Sequence, residues 1–178
     1  MTSMTVQRQE RYGHRSRKAA IALFAGASLA LQLALGLAFS GFSARAATTE
    51  RVVTNRFTGL AIDGFDPVAY FVDGAPVQGL RELEAWQSGV VWRFHNEGNR
   101  ASFLAHPEVY GPQFGGYDPV DAARGVTVTG NPLFWVMVDE RLYLFGFEAN
   151  RDAFAADPQT FLTKAQARWP ALEQGLVQ

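Results

Sequence analysis

The stretch FHNEGNRASFLAHPEVY, Phe94 to Tyr110, is written a second time as FGFEANRDAFAADPQTF, Phe145 to Phe161. Both copies read F-x-x-E-x-N-R-x-x-F-x-A-x-P and end on an aromatic residue, with no gap between them. Extended to Val91–Tyr110 and Leu142–Phe161, seven of twenty positions are identical. Unrelated segments would share roughly one, so the chain reads as internally repeated. The same offset of 51 pairs Gly74 with Gly125, Val77 with Val128 and Gly79 with Gly130. GFDPV (64–68) returns as GYDPV (116–120), slipped by one residue. The repeat unit is therefore about fifty residues, spanning 64–114 and then 116–165. Two copies are too few for a solenoid and predict one globule with pseudo-twofold symmetry.

Each unit has a readable local structure. Asp66-Pro67 and Asp118-Pro119 predict helix starts, because an aspartate accepts from the first free amides and proline fixes φ where no donor is needed. Asp73-Gly74 and Arg124-Gly125 end those short turns. LRELEAW-QSG-VVWRF in the first unit and PLFWVMV-DE-RLYLFGF in the second predict β-hairpins, since aromatic and β-branched runs flank a short polar turn. Glu97 to Ala105 and Glu148 to Ala156 predict helices with a surface Glu–Arg pair at i, i+3 and Phe103 or Phe154 facing inward. Pro107 and Pro158 break or kink those helices. Phe161, Leu162, Ala165 and Trp169 then form an apolar stripe on a further helix.

The first 46 residues read as targeting, not fold. A basic stretch (RQERYGHRSRKAA) precedes an apolar run from Ala20 to Phe39 and the A-x-A signature Ala44-Arg45-Ala46. That order predicts a signal peptide, 1–46, cut between Ala46 and Ala47, and a periplasmic destination. The rival reading is an uncleaved membrane anchor, because the apolar run approaches the ~20 residues that span a bilayer. The segment holds six of the sixteen Lys and Arg and one of the seventeen acids, which leaves ten bases, sixteen acids and a formal charge of −6 on the mature chain. So acidic a domain makes nucleic acid and anionic lipid poor partners, and no membrane association is expected after cleavage. The chain has no cysteine, which excludes thiolate catalysis, disulfides and thiolate metal sites.

VVWRFHNEGNRASFLAHPEVY resembles the YHS domain, a small module of metal-handling proteins. AIDGFDPVAYFVDGAPVQG, NRASFLAHPEVYGPQFGGY and the terminal ARWP resemble its exported bacterial members more closely, over about Leu60 to Pro170. The resemblance implies an α+β fold of two pseudo-symmetric β-hairpin plus helix units packed into one globular domain. The expected divisions are a 47–59 N-terminal extension, the domain at 60–170 and a 171–178 C-terminal tail. The residues depart from the metal-binding pattern. His95 and Asn99 stand where the family has cysteines, Asp118 replaces the thiol of the exported group's GGYC, and the second unit offers only Gly146 and Asn150. A sulfur-based soft-metal site is therefore absent.

The remaining candidates are few. His95, His106 and Asp118 could supply an N/N/O site for zinc or copper if the fold gathers them. Against that, His95 reads as a strand-end residue and His106 as a helix C-terminal residue whose charge suits the dipole. Asp66 and Asp118 could pair as acid and base across the symmetry axis, or simply cap helices. No G-x-S-x-G nucleophile turn and no glycine-rich phosphate loop occurs. The many aromatics could fill the core or line a cleft between the units, with Tyr70 and Tyr117 supplying hydroxyls beside Asp66 and Asp118. The expected function is an exported, non-enzymatic domain without a cofactor that binds a small ligand or a periplasmic protein partner. The alternative is metal binding or delivery, and an enzyme ranks third.

Overall fold

Two antiparallel hairpins carry the structure, a computed structural model that describes residues 50–176. The first pairs β1 (Leu80–Gln87) with β2 (Val90–Phe94), and the second pairs β3 (Asn131–Val138) with β4 (Arg141–Phe145). With six helices among the described residues the fold is α+β. Each hairpin closes through a two-residue turn with both residues at positive φ, Ser88-Gly89 and Asp139-Glu140, whose twist matches that of the strands. Each also carries an irregularity at the same point. Leu80 faces Phe94 and Glu84 faces Arg93 in one, while Asn131 faces Phe145 and Trp135 faces Leu144 in the other. The extra residues bend the first strand of each pair.

The helices follow their sequence signals. α4 (Pro119–Ala122) starts on the proline of its Asp-Pro pair with Asp118 as cap, whereas α1 (Ala69–Val72) starts two residues after Pro67 with Val68, not Asp66, in the cap position. α2 (Glu97–Ala105) and α5 (Glu148–Ala156) follow the second strand of each hairpin, and each begins with an acid in its first turn. The Glu97–Arg100 and Glu148–Arg151 pairs close at 2.9 and 2.8 Å on the surface. Proline ends both helices. His106 (φ −140°, ψ 61°) and Asp157 (φ −149°, ψ 73°) leave the helical region because a residue before proline cannot hold it. The chain restarts at once as α3 (Pro107–Tyr110) and α6 (Pro158–Gln174).

The core is built on the alternation of the two second strands. Trp92 and Phe94 of β2 meet Phe103 of α2 with ring centroids 4.8 and 5.3 Å away. Tyr143 and Phe145 of β4 meet Phe154 of α5, both at 5.1 Å. The opposite face of β4 presents Leu142 and Leu144 to the first cluster, beside Ile62, Tyr70 and Trp92, so apolar packing continues across the chain's two halves. The Tyr70 hydroxyl donates to the carbonyl of Pro132 at 2.9 Å over the same boundary. Burying each such side chain stabilises the fold by about 1.5–3 kcal/mol.

Two expected divisions move. The described part of the 47–59 extension belongs to the fold: Val53 is buried, its amide donates to Gly115 at 2.8 Å, and its carbonyl accepts from Ile62 at 3.1 Å. The expected tail at 171–178 is helical to Gln174, and Leu176 packs with Val53 and Tyr117. Pro170 removes one backbone donor, but Ala165, Trp169 and Leu172 lie on one packed face and hold the helix through it. Residues 1–46, expected to be a signal peptide, lie outside the described residues; among the described residues no helix is long and apolar enough to cross a membrane.

Candidate functional site

Asp66 and Asp118 are fully buried, and each ties four pieces of chain together. The Asp66 amide donates to Val77 at 2.8 Å, and its Oδ1 accepts the Val68 amide at 2.9 Å. Its Oδ2 accepts the His95 amide at 2.9 Å and the Asn99 Nδ2 at 2.8 Å. Asp118 repeats the set. Its amide donates to Val128 at 2.8 Å, Oδ1 accepts the Val120 amide at 2.8 Å, and Oδ2 accepts the Gly146 amide at 2.9 Å and the Asn150 Nδ2 at 2.7 Å. Each carboxylate thus pins a short helix, a strand end and a long helix at one point. Burial pushes the Asp118 carboxyl above the usual carboxylate range, against the pull of the Asn150 side chain and the Gly146 and Val120 amides.

The two hubs differ where side chains meet the carboxylate. At the first, His95 places Nδ1 2.8 Å from Asp66 Oδ2. Asn96 Nδ2 stands 2.9 Å from the ring's Nε2 and Asn99 Nδ2 3.2 Å from its Nδ1, contacts whose direction the ring's tautomer sets. The ring is 28% exposed, and Asp73 Oδ2 stands 3.7 Å from Nε2. At the second hub Gly146 occupies the histidine's place, and Asn150 reaches Asp121 Oδ2 at 3.0 Å instead. Among the described residues no serine, threonine or lysine side chain hydrogen-bonds to His95.

The expected metal trio does not converge. His95 turns to Asp66, Asp118 is enclosed by Gly146 and Asn150, and His106 points outward, 64% exposed, with Nδ1 3.5 Å from Glu108. No three His, Asp or Glu side chains among the described residues could together hold a metal ion. The expected cleft of Tyr70, Asp66, Tyr117 and Asp118 is not a cleft either, because all four are buried in packed core. The Tyr117 hydroxyl donates to the carbonyl of Glu50, as that of Tyr70 does to Pro132. Burial pushes Tyr117 up to about 12, with the Glu50 charge adding to it. Burial and the charges of Asp66 and Asp63 raise Tyr70 as well.

Open space lies elsewhere. A cavity of about 480 Å³ is lined by Arg51, Ser88, Phe114, Gly115, Trp169 and Glu173, among others. A second hollow of about 230 Å³ shares Ser88, Phe114 and Gly115 with it and runs on to Trp92, Phe103 and Glu108. The Phe114 and Trp169 rings meet edge to face, 5.2 Å apart and inclined at 73°. The backbone beneath is tightly constrained. Phe114 (φ 53°) and Gly115 (φ 62°) are both left-handed, and a Cβ on Gly115 would lie 2.0 Å from the Arg51 carbonyl oxygen. Only glycine fits there. Arg51 and Glu173 make no ion pair with any described residue.

Phe114, in the cavity wall, is one of the many aromatics that the sequence offered for core or cleft. Arg51 and Glu173 fell in the segments taken for extension and tail, and Trp169 read as part of an apolar helix stripe. The chain matches no protein-family model, no curated protein and no solved structure.

Proposed function

We propose that this chain is an exported, non-enzymatic YHS-type domain of two pseudo-symmetric hairpin–helix units, and that it binds a small ligand in the cavity between Arg51, Phe114, Trp169 and Glu173. One observation carries the reading: an open space of about 480 Å³ whose walls hold two aromatic rings and two charges unpaired within the described chain. That size falls within the ~300–1,000 Å³ of small-molecule sites, and concave aromatic walls with a few polar groups are their usual lining. The equivalent strand irregularities, turns and aspartate hubs, 51 or 52 residues apart, support the two-unit description. The basic, apolar and A-x-A segments of 1–46 support export. The non-enzymatic reading is supported by the engagement of both buried aspartates in backbone and asparagine hydrogen bonds.

The test is fluorescence of the processed chain, 47–178, against a panel of periplasmic small molecules. Trp169 lines the cavity, so a saturable change should disappear in Trp169→Phe while the other three tryptophans still report folding. Co-purification of a protein partner, with no small molecule shifting the signal, would replace the small-ligand reading by the protein-partner one.

A further inference from the structure

We infer that the cavity takes a small zwitterion, a molecule carrying one carboxylate and one ammonium group, of the size of a free amino acid. The inference rests on the cavity being a ligand site and adds what that ligand must look like. Arg51 and Glu173 line the same space, yet they do not form an ion pair with each other and so lie more than hydrogen-bonding distance apart. Two opposite charges that face one cavity without closing on each other leave room for a ligand with the complementary pair. Arg51 offers a planar fork suited to a carboxylate. Glu173 is only partly exposed, and its carboxylate gains from an ammonium that replaces lost water.

The rest of the lining agrees. The edge-to-face Phe114 and Trp169 rings offer π-faces on which an ammonium group is attracted to the ring quadrupole. Ser88 adds a hydroxyl that can donate or accept. A long apolar ligand would leave both charges unsatisfied. A dianion would satisfy Arg51 but meet Glu173 and a mature chain of net charge −6. A zwitterion adds no net charge and fills both positions.

The experiment is calorimetric titration of the processed chain with glycine, L-leucine, L-lysine, L-glutamate and L-phenylalanine, each beside its N-acetyl and its amide derivative. Succinate and glucose serve as ligands of other classes. At least one free amino acid should bind at about 1 mM or tighter, and blocking either end should weaken it at least about tenfold, the effect of one lost charge-assisted contact. Arg51→Ala and Glu173→Gln should each cause the same loss with unchanged thermal midpoints. Equal binding of free and blocked forms, or undiminished binding by Glu173→Gln, would overturn the inference. Binding of succinate or glucose that is lost in Trp169→Phe, with no amino acid bound, would also overturn it while leaving the cavity as a ligand site. If nothing in the panel binds, the zwitterion is ruled out, and the fluorescence screen alone then decides whether the cavity is a site.

Discussion

Asn99 donates its side-chain amide to Asp66 at 2.8 Å across thirty-three residues of chain. Asn150 does the same to Asp118 at 2.7 Å across thirty-two. Both asparagines sit in the first turn of a helix, and both aspartates are fully buried. An acceptor with no water within reach depends on these donors, so the pair locks a helix to the turn ahead of the hairpin.

Replacing either asparagine by alanine should therefore cost about 1–3 kcal/mol, the penalty for leaving a buried acceptor short of a donor. Urea midpoints measure it. Glu97→Ala, which removes a surface partner from the same repeated motif, should leave the midpoint close to wild type. Equal losses from the buried and the surface changes would contradict the hub.

The carboxyl of Asp118 is raised by burial, so the folded state binds more protons than the unfolded chain just above the ordinary carboxylate range near ~4. The stability linked to this group is present in full below the unfolded value and lost as pH rises through the folded one. Carbon-detected NMR should show Asp118 titrating later than exposed aspartates such as Asp157, whose carboxyl is lowered chiefly by its bonds to Thr160. Titration of Asp118 at or below Asp157 would refute the assignment.

Alkali should unfold the protein through its tyrosines. Burial raises Tyr70, Tyr117 and Tyr143, with Tyr117 at about 12. The fold favours their neutral forms, so their contribution is whole below the unfolded value of ~10 and falls as pH climbs toward 12. Tyrosinate absorbance for these three should rise together with loss of far-ultraviolet circular dichroism. Smooth ionisation near ~10 in an intact fold would argue against their burial.

The second hairpin turn places Asp139 at φ 49° and Glu140 at φ 56°, where the first has Gly89 at φ 80°. A left-handed non-glycine residue costs about 1–2 kcal/mol. Glu140→Gly should recover about 1 kcal/mol, less the extra entropy of the unfolded glycine, and Gly89→Glu should lose a similar amount. Thermal midpoints that move the opposite way would show that these turns are held by something other than backbone geometry.

The hairpins, the proline-terminated helices and the Glu–Arg pairs were legible because their causes lie within a few residues: turn chemistry, i, i+3 spacing, a missing amide hydrogen. Asn99 and Asn150 were legible only as residues near helix starts, since their partners stand some thirty residues upstream. The resemblance ended the domain at Pro170, yet the helix runs through it to Gln174, because the packing of Trp169 and Leu172 outweighs one lost hydrogen bond.

By itself the sequence determined the absence of thiol chemistry, the acidic balance of residues 47–178, the repeated order of elements and the inward phenylalanines of each helix. These depend on residue identity and local period. Only the tertiary structure decided that His95, His106 and Asp118 stay apart, that the tyrosine hydroxyls are spent on backbone carbonyls, and that Arg51 and Glu173 face one cavity. Those facts depend on where distant chain segments meet, and long-range packing of aromatic surface sets those meetings without leaving a mark on any single stretch of sequence.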